Sequence, residues 1–325
     1  MKKIAIIDLG TNGFRLYIAE VPSVGNFTII HRESNDLKIA SEGFDRIGDA
    51  PFQRGLAAMR HFSKQLDRFK VEKVAAFGTA ALRLASNGRE FIETVARETN
   101  IQIDLITGER EAELIYKGMR LGFFEKNKPL EKIGDPLSKN VIFAEKTPVL
   151  MVDVGGGSVE FIIGDAEKVH WSRSFNVGVT ILKQRFQPNY ILQLVEIQAI
   201  EQFLNTTCTD LLTAIDHFKP KIPLIACGTL DFLVAMSLRG TKQPEGHKDA
   251  NFEFSKAQFD AFYQQLTFLS EMDLSEVPHI PSSKVEMLAV SFVLMNWIVQ
   301  ILKADVLIAS AFTMKTGILH EMSLE

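Results

Sequence analysis

The chain opens on Ile4-Ala5-Ile6-Ile7, an apolar run stopped by Asp8-Leu9-Gly10, which predicts a buried strand entering a turn. Phe14 to Val21 resumes an extended pattern, so the two segments read as a hairpin. Leu56, Met59, Phe62, Leu66 and Phe69 recur at helical spacing and predict a helix over 51–69. A short strand at 71–77 leads into Gly78-Thr79, and 80–97 reads as mostly helical. A strand at 101–106 and a helix at 109–120, separated by Gly108, complete the first half. Strands alternating with helices in this way predict an α/β domain.

From 126 to 147 the chain is polar and lysine-bearing, with Pro129 and Pro136, the pattern of a linker or long surface loop. The second half then reopens with Val149 to Val154, again an apolar run ending in an Asp and glycines. Helices are predicted at 177–186 and 191–215, a strand at 222–227 and a polar loop at 240–251. The remainder reads as helical until a strand at 306–309. Its longest apolar stretch, Met287–Leu302, contains Ser291, Asn296 and Gln300. A membrane span needs about 20 apolar residues, so this stretch predicts a buried helix.

The restart is a repeat. Residues 4–20 lie over 149–165 with Asp8 on Asp153 and Gly10 on Gly155, an offset of about 145 residues. Residues 76–85 lie over 226–235 with Ala76, Gly78, Thr79 and Ala85 on Ala226, Gly228, Thr229 and Ala235, about 150 residues apart. Two pairs in the same order at nearly one offset predict two domains of one plan. A glycine turn after a strand lets backbone N–H groups approach phosphate oxygens without an intervening Cβ. An Asp in the turn cannot bind phosphate but can hold Mg²⁺ directly or through water. Two such turns facing one another across a cleft would clamp a phosphate chain.

A length of 325 residues accommodates two domains, each with its own core. The formal net charge of −4 argues against a nucleic-acid binder, so a polyanionic substrate needs a local basic patch. Only Cys208 and Cys227 are present, without metal-ligand spacing, which fits a reduced cytoplasm. The first apolar run is too short for a signal-peptide core. The lysines at 117, 126, 128, 132, 139 and 146 are interleaved with Glu125, Glu131 and Glu145 and read as a solvated loop before a polyphosphate track. Helices rich in Phe and Met over 252–302 suit a homodimer contact as well as a core.

At these residues the sequence resembles the exopolyphosphatase / guanosine pentaphosphate phosphohydrolase family, within the superfamily of actin, sugar kinases and heat-shock chaperone ATPases. Residues 8–16, DLGTNGFRL, resemble its first phosphate loop, and 78–87, GTAALRLASN, its Thr-x-x-x-Arg segment. Residues 106–118, ITGEREAELIYKG, resemble its catalytic helix, and 153–161, DVGGGSVEF, its second phosphate loop. Residues 175–186 and 226–230 are similar to its Gly-x-x-x-Leu segment and last Gly-Thr turn. The resemblance implies two duplicated ribonuclease H-like (actin-like ATPase) α/β domains with a phosphate-binding cleft between them, at 1–122 and 123–310, with the helix at 311–325 packed back on the first. It implies hydrolysis of inorganic polyphosphate or guanosine pentaphosphate with Mg²⁺, and no nucleic-acid or membrane partner.

Carried over position by position, the resemblance places the general base at Glu111 and a second active-site carboxylate at Glu160. Asp8, Asp153 and Glu160 become the expected metal ligands. Gly10, Thr11, Asn12, Gly13 and Arg15 in the first loop, and Gly155, Gly156, Gly157 and Ser158 in the second, become phosphate contacts. Thr79 with Arg83 one helical turn later, and Gly228 with Thr229, complete the set. The chain departs from the family at Gly13, where Ser is usual, and at Arg110, where a second Glu often stands. It departs again at Lys284-Val285-Glu286 and Met314-Lys315-Thr316-Gly317. Two alternatives share the fold: a kinase or ATPase, disfavoured by the single Gly and bulky residues of Cys227-Gly228-Thr229-Leu230, and a non-catalytic nucleotide sensor, which need not keep Glu111.

Overall fold

The structure, a computed structural model, describes residues 1–125, 131–132, 146–186, 192–237, 250–266 and 282–325. Most of the expected linker at 126–147, Lys126, Lys128 and Lys139 within it, and the polar loop at 240–249 lie outside the described residues. The chain divides into two compact units: Met1–Leu114 with Met314–Glu325, and Ile115–Thr313.

The first unit is built on β1 (Lys2–Leu9), β2 (Gly13–Ser23), β3 (Asn26–Asp36), β4 (Lys73–Gly78) and β5 (Ile103–Leu105), in the order β3-β2-β1-β4-β5. β1 pairs antiparallel with β2 and β2 with β3, whereas β4 lies parallel to β1 and β5 parallel to β4. Ile4 to Ile7 are fully buried, as a central strand covered on both faces requires. α1 (Asp49–Phe69) buries Leu56, Met59, Phe62 and Leu66 on its apolar face. The region expected as one helix at 80–97 is two, α2 (Ala80–Leu84) and α3 (Gly88–Thr99). The break is tertiary in origin: Asn87 Oδ1 accepts the N–H of Ile47 at 2.8 Å and its Nδ2 donates to the Ile47 carbonyl at 2.9 Å. α4 (Gly108–Arg120) begins in this unit.

The second unit holds β6 (Glu131–Lys132), β7 (Val149–Val154), β8 (Val159–Gly164), β9 (Val169–Phe175), β10 (Pro223–Cys227), β11 (Asn251–Ser255) and β12 (Val306–Ser310), ordered β6-β11-β12-β10-β7-β8-β9. Its helices are α5 (Val179–Phe186), α6 (Leu194–Thr207), α7 (Thr209–Phe218), α8 (Gly228–Ser237), α9 (Lys256–Leu266) and α10 (Ser282–Leu302). The last helix of the chain, α11 (Met314–Ser323), belongs to the first unit. α10 contains Val285–Leu302, a stretch long and apolar enough to cross a membrane, yet 78% of it is buried among the side chains of its own unit. Phe292, Met295 and Trp297 are thereby spent on the core.

The run β9-β8-β7-β10-β12 repeats the order and sense of β3-β2-β1-β4-β5: two antiparallel steps, then two parallel ones. The duplicated α/β plan is therefore present in the backbone. The sequence names no strand at β3, β6, β8, β9 or β11; β6 falls in the expected linker and β8 is implied only by its place in the repeat. β3 and β9 are sheet edges with polar, alternately exposed residues, and β11 was taken for helix because Phe252, Glu253 and Phe254 are all buried and no alternation shows. The helix expected at 191–215 also divides, at Cys208.

Candidate functional site

The first loop joins β1 to β2 and is closed by the Gly10 N–H donating to the Gly13 carbonyl at 3.2 Å. A Cβ on Gly13 would lie 2.7 Å from the Asn35 carbonyl of β3, so only glycine fits there and the departure from Ser follows from local packing. The Thr11 carbonyl accepts from Ile39, and the Asn12 carbonyl from both Leu37 and Lys38, each at 3.0 Å. A trans peptide sets its N–H opposite its C=O. Fastening these carbonyls to 37–39 therefore turns the N–H groups of Asn12 and Gly13 to the other side. Asp8 stands opposite Arg15 across the strand pair, and Arg15 Nη1 donates to Asp8 Oδ2 at 3.1 Å.

The second loop, between β7 and β8, is closed the same way, Gly155 N–H to Ser158 carbonyl at 3.1 Å. The carbonyls of Gly155, Gly156 and Gly157 accept from Val179 at 3.1 Å, Thr180 at 2.9 Å and Gly178 at 3.2 Å. The N–H groups of Gly156, Gly157 and Ser158 are thus turned away from α5, the successive-amide arrangement that holds anions. Gly178 makes the docking feasible, because a Cβ there would lie 2.3 Å from the Gly156 carbonyl oxygen. Here Asp153 stands opposite Glu160. Two carboxylates directly across a strand pair repel, and Glu160 is only 2% exposed. Ser174 Oγ of β9 donates to Glu160 Oε1 at 2.7 Å and offsets part of that cost.

Glu111 lies in the first turn of α4, 8% exposed. Thr107 starts the helix: its Oγ1 accepts from the Arg110 N–H at 3.3 Å and its carbonyl from the Glu111 N–H at 3.0 Å. Arg83 Nη1 bridges to the Ile106 carbonyl at 2.9 Å and to Glu111 Oε2 at 3.3 Å. Thr79 starts α2, and its N–H and Oγ1 each reach the Leu9 carbonyl at 3.4 Å. Leu9 pairs with Gly78 and Gly78 with Leu105. Asp8, Thr79, Arg83 and Glu111 accordingly gather at the carboxyl ends of three parallel strands, where open α/β sheets bind ligands.

Arg110 points its charge elsewhere, to Glu113 at 2.7 Å and Glu321 at 2.9 Å. Burial alone would lower its pKa, but these two carboxylates hold it above the ordinary value. Glu286, in the departing segment 284–286, forms an ion pair with Lys183 that fastens α10 to α5. Gly228 and Thr229 open α8 beyond β10, but the Thr229 hydroxyl is 2.7 Å from Ser291 Oγ inside the core. In the first unit the structure gathers the nine expected residues Asp8, Gly10, Thr11, Asn12, Gly13, Arg15, Thr79, Arg83 and Glu111. In the second it gathers Asp153, Gly155, Gly156, Gly157, Ser158 and Glu160, with Gly228 and Thr229 at the start of α8, just beyond the neighbouring parallel strand. Sequence reasoning missed Ser174, on a polar edge strand without periodicity, and the roles of Gly178 and Thr107. The Thr107-x-x-Arg110 spacing before an apolar run was the available signal for the latter.

No group of three or more His, Cys, Asp or Glu able to hold a metal ion occurs among the described residues. The Asp153–Glu160 pair supplies two carboxylates and no more. That donor set suits Mg²⁺, which takes one or two carboxylates and completes its shell with waters and substrate phosphate.

The sequence profile of the Ppx/GppA phosphatase family matches residues 17–131 and 140–325. A guanosine-5'-triphosphate,3'-diphosphate pyrophosphatase of Aeromonas salmonicida is 30% identical over 200 residues, 60% of this chain and 36% of that protein. A bifunctional 3-dehydroquinate synthase/phosphatase of Fusobacterium nucleatum is 30% identical over 190 residues, 56% of this chain and 26% of that protein. The chain thus spans well under half the length of these curated relatives. The crystal structure of an exopolyphosphatase from Cytophaga hutchinsonii superposes with a TM-score of 0.88 at 25% identity, covering 99% of this chain and 98% of that one. The Aquifex aeolicus Ppx/GppA family member has the same fold, with a TM-score of 0.77 at 22% identity over 99% of this chain and 98% of that one.

Proposed function

Because the chain belongs to the Ppx/GppA phosphatase family, we propose that it hydrolyses terminal phosphoanhydride bonds, releasing orthophosphate from inorganic polyphosphate, from guanosine pentaphosphate, or from both. The observation that carries this reading is Glu111, buried and bonded to Arg83 at the carboxyl ends of β1, β4 and β5, beside a loop whose N–H groups are turned outward together.

In the proposed reaction the amides of Asn12 and Gly13, and those of Gly156, Gly157 and Ser158, receive non-bridging phosphate oxygens. Arg83 presents its guanidinium to the terminal phosphate, for which a planar fork is well suited. Glu111 accepts a proton from water as its oxygen bonds to the terminal phosphorus. The bridging P–O bond breaks in line, and the shortened chain leaves with the bond pair. Asp153 and Glu160 would hold Mg²⁺, which when bound supplies neutralising charge to the phosphate chain. Asp8, also expected as a metal ligand, is given a different part: its carboxylate holds Arg15 at 3.1 Å, and the guanidinium turns this loop toward anions. Two buried free cysteines agree with a cytoplasmic setting.

The test is phosphate release from tripolyphosphate, long-chain polyphosphate and guanosine pentaphosphate, with Mg²⁺ and with EDTA. Mg²⁺-dependent release from at least one is expected, falling by about 10²–10⁴-fold in Glu111→Gln with melting temperature unchanged. Release by a folded Glu111→Gln protein at the wild-type rate would remove the proposed mechanism.

A further inference from the structure

Arg110 stands where the family often has a second glutamate, and the reaction proposed above gives it no part. It is one residue from Glu111, in the first turn of α4. Successive residues of a helix are turned about 100° from one another, so these two side chains leave the turn in different directions. Glu111 Oε2 meets Arg83 Nη1 at 3.3 Å. Arg110 sends Nη1 to Glu113 Oε2 at 2.7 Å and Nη2 to Glu321 Oε2 at 2.9 Å. Glu113 belongs to the same helix, whereas Glu321 lies 211 residues further along the chain, in α11.

α11 is a firm post for such a tie. It packs on β1, β2 and β3, burying Met314, Ile318, Leu319 and Met322, and its Ser323 carbonyl accepts the Gly25 N–H at 3.1 Å. Each of those buried side chains contributes about 1.5–3 kcal/mol. The Arg110–Glu321 pair is partly exposed on both sides, and such a pair contributes about 0–1 kcal/mol. Packing therefore decides whether α11 is docked, and the ion pair adds little to stability. What the pair adds is direction.

The start of α4 is held from the core through fully buried Ala112 and Leu114, from α2 through the Arg83–Glu111 bond, and from α11 through Arg110. Thr107 caps the turn, which resists fraying and leaves its tilt to these three holds. Release of one hold lets the turn shift, and a displacement of about 1 Å at a reacting group can cost about 10² in rate. The residue at 321 thus acts on Glu111 without touching it.

We propose that Glu321 is a positioning residue, whose ion pair with Arg110 sets the first turn of α4 and so the direction in which Glu111 meets water. The inference rests on the phosphohydrolase reading and deepens it, since it gives Arg110 and the last helix of the chain a part in the same site. The test compares wild type, Glu321→Gln, Arg110→Glu and the double variant Arg110→Glu/Glu321→Arg. Turnover of tripolyphosphate with Mg²⁺ and amide hydrogen exchange of residues 107–114 are measured on each. Glu321→Gln is expected to lower kcat about tenfold with KM changed less than about threefold, and to melt within about 3 °C of wild type. Arg110→Glu sets a carboxylate against Glu113 and Glu321 and is expected to lower kcat further. The double variant restores opposite charges and is expected to bring kcat back to within about threefold of wild type. Exchange in 107–114 is expected to quicken about fivefold or more in Glu321→Gln and to slow again in the double variant. Unchanged kcat in Glu321→Gln overturns the proposal. So does a loss that the double variant fails to recover, or one that comes with an equal change in KM and a lower melting temperature, the mark of a merely structural pair. If the wild type turns over neither polyphosphate nor guanosine pentaphosphate, the phosphohydrolase reading has failed and exchange alone decides. Exchange quickened in Glu321→Gln and restored in the double variant then supports positioning of this turn by Glu321; unchanged exchange overturns it.

Discussion

The two loops are built on one backbone and carry opposite charge. Each is closed by a glycine N–H bonded three residues ahead, at Gly10–Gly13 and Gly155–Ser158, and each has its carbonyls fastened by the segment after the third strand of its sheet. In each an aspartate stands one residue before the end of the strand leading into the loop. Across from it stands Arg15 in one case and Glu160 in the other. The first loop therefore has an aspartate paired with an arginine and outward amides, which in the proposed function receive an anion. The second has outward amides and two facing carboxylates, which in the proposed function receive an anion together with a cation. One residue on the second strand gives the duplicated backbone two different charge environments.

Four substitutions sharpen that contrast. The largest effect is expected from Arg15→Glu, which makes the first loop imitate the second. Because Arg15 is partly exposed the fold should survive, while kcat/KM falls by about 10³, the upper range for loss of one transition-state donor. Retained activity would mean that the charge difference is incidental. Gly178→Ala comes next. Its Cβ would meet backbone 2.3 Å away, so the second loop must detach from α5, at about 3 kcal/mol of stability by the scale of overpacking; chemical denaturation measures it. The first loop, held by 37–39, should be untouched.

Third, Ser174→Ala removes a hydroxyl donor to the buried Glu160 and is expected to destabilise by about 1–2 kcal/mol without Mg²⁺, with saturating Mg²⁺ recovering part of the loss. Equal loss with and without the ion would argue against a cation at this pair. The smallest effect concerns the hairpin that carries Glu160 into β9. Burial pushes the Asp165 carboxyl up, but the N–H groups of Lys168 and Glu167 and the His170 ring hold it below its ordinary value overall. A depressed carboxylate stabilises the fold above its unfolded pKa of about 3.9 and loses that contribution as pH falls below it. Asp165→Asn should therefore cost about 1 kcal/mol at pH 7 and progressively less as pH falls through the depressed folded-state pKa, as urea melts across the acid range would show.

Much of this was legible in the sequence, for reasons that particular residues make plain. Ile4 to Ile7 and Val149 to Val152 are central strands buried on both faces, so their unbroken apolar runs announced them. The glycines of both turns were legible because the bend and the close approach demand them. Edge strands β3 and β9 were illegible because one face meets water and their polar residues look like loop. The division of the helix at 80–97 was illegible because its cause, Ile47, lies 40 residues away along the chain. In the site, single residues could be named but their partnerships could not. Nothing in the order of residues said that Asp8 would face an arginine and Asp153 a glutamate, since that depends on register. Nor did it distinguish Thr229, whose hydroxyl is spent on Ser291.

The division of labour between the loops is tested most directly by Mn²⁺ binding, read by electron paramagnetic resonance, in wild type, Asp153→Asn and Asp8→Asn with tripolyphosphate present. The account predicts one bound ion in the wild type, affinity weakened at least about tenfold in Asp153→Asn, and a change under about threefold in Asp8→Asn. Binding that survives Asp153→Asn and is lost in Asp8→Asn would contradict it.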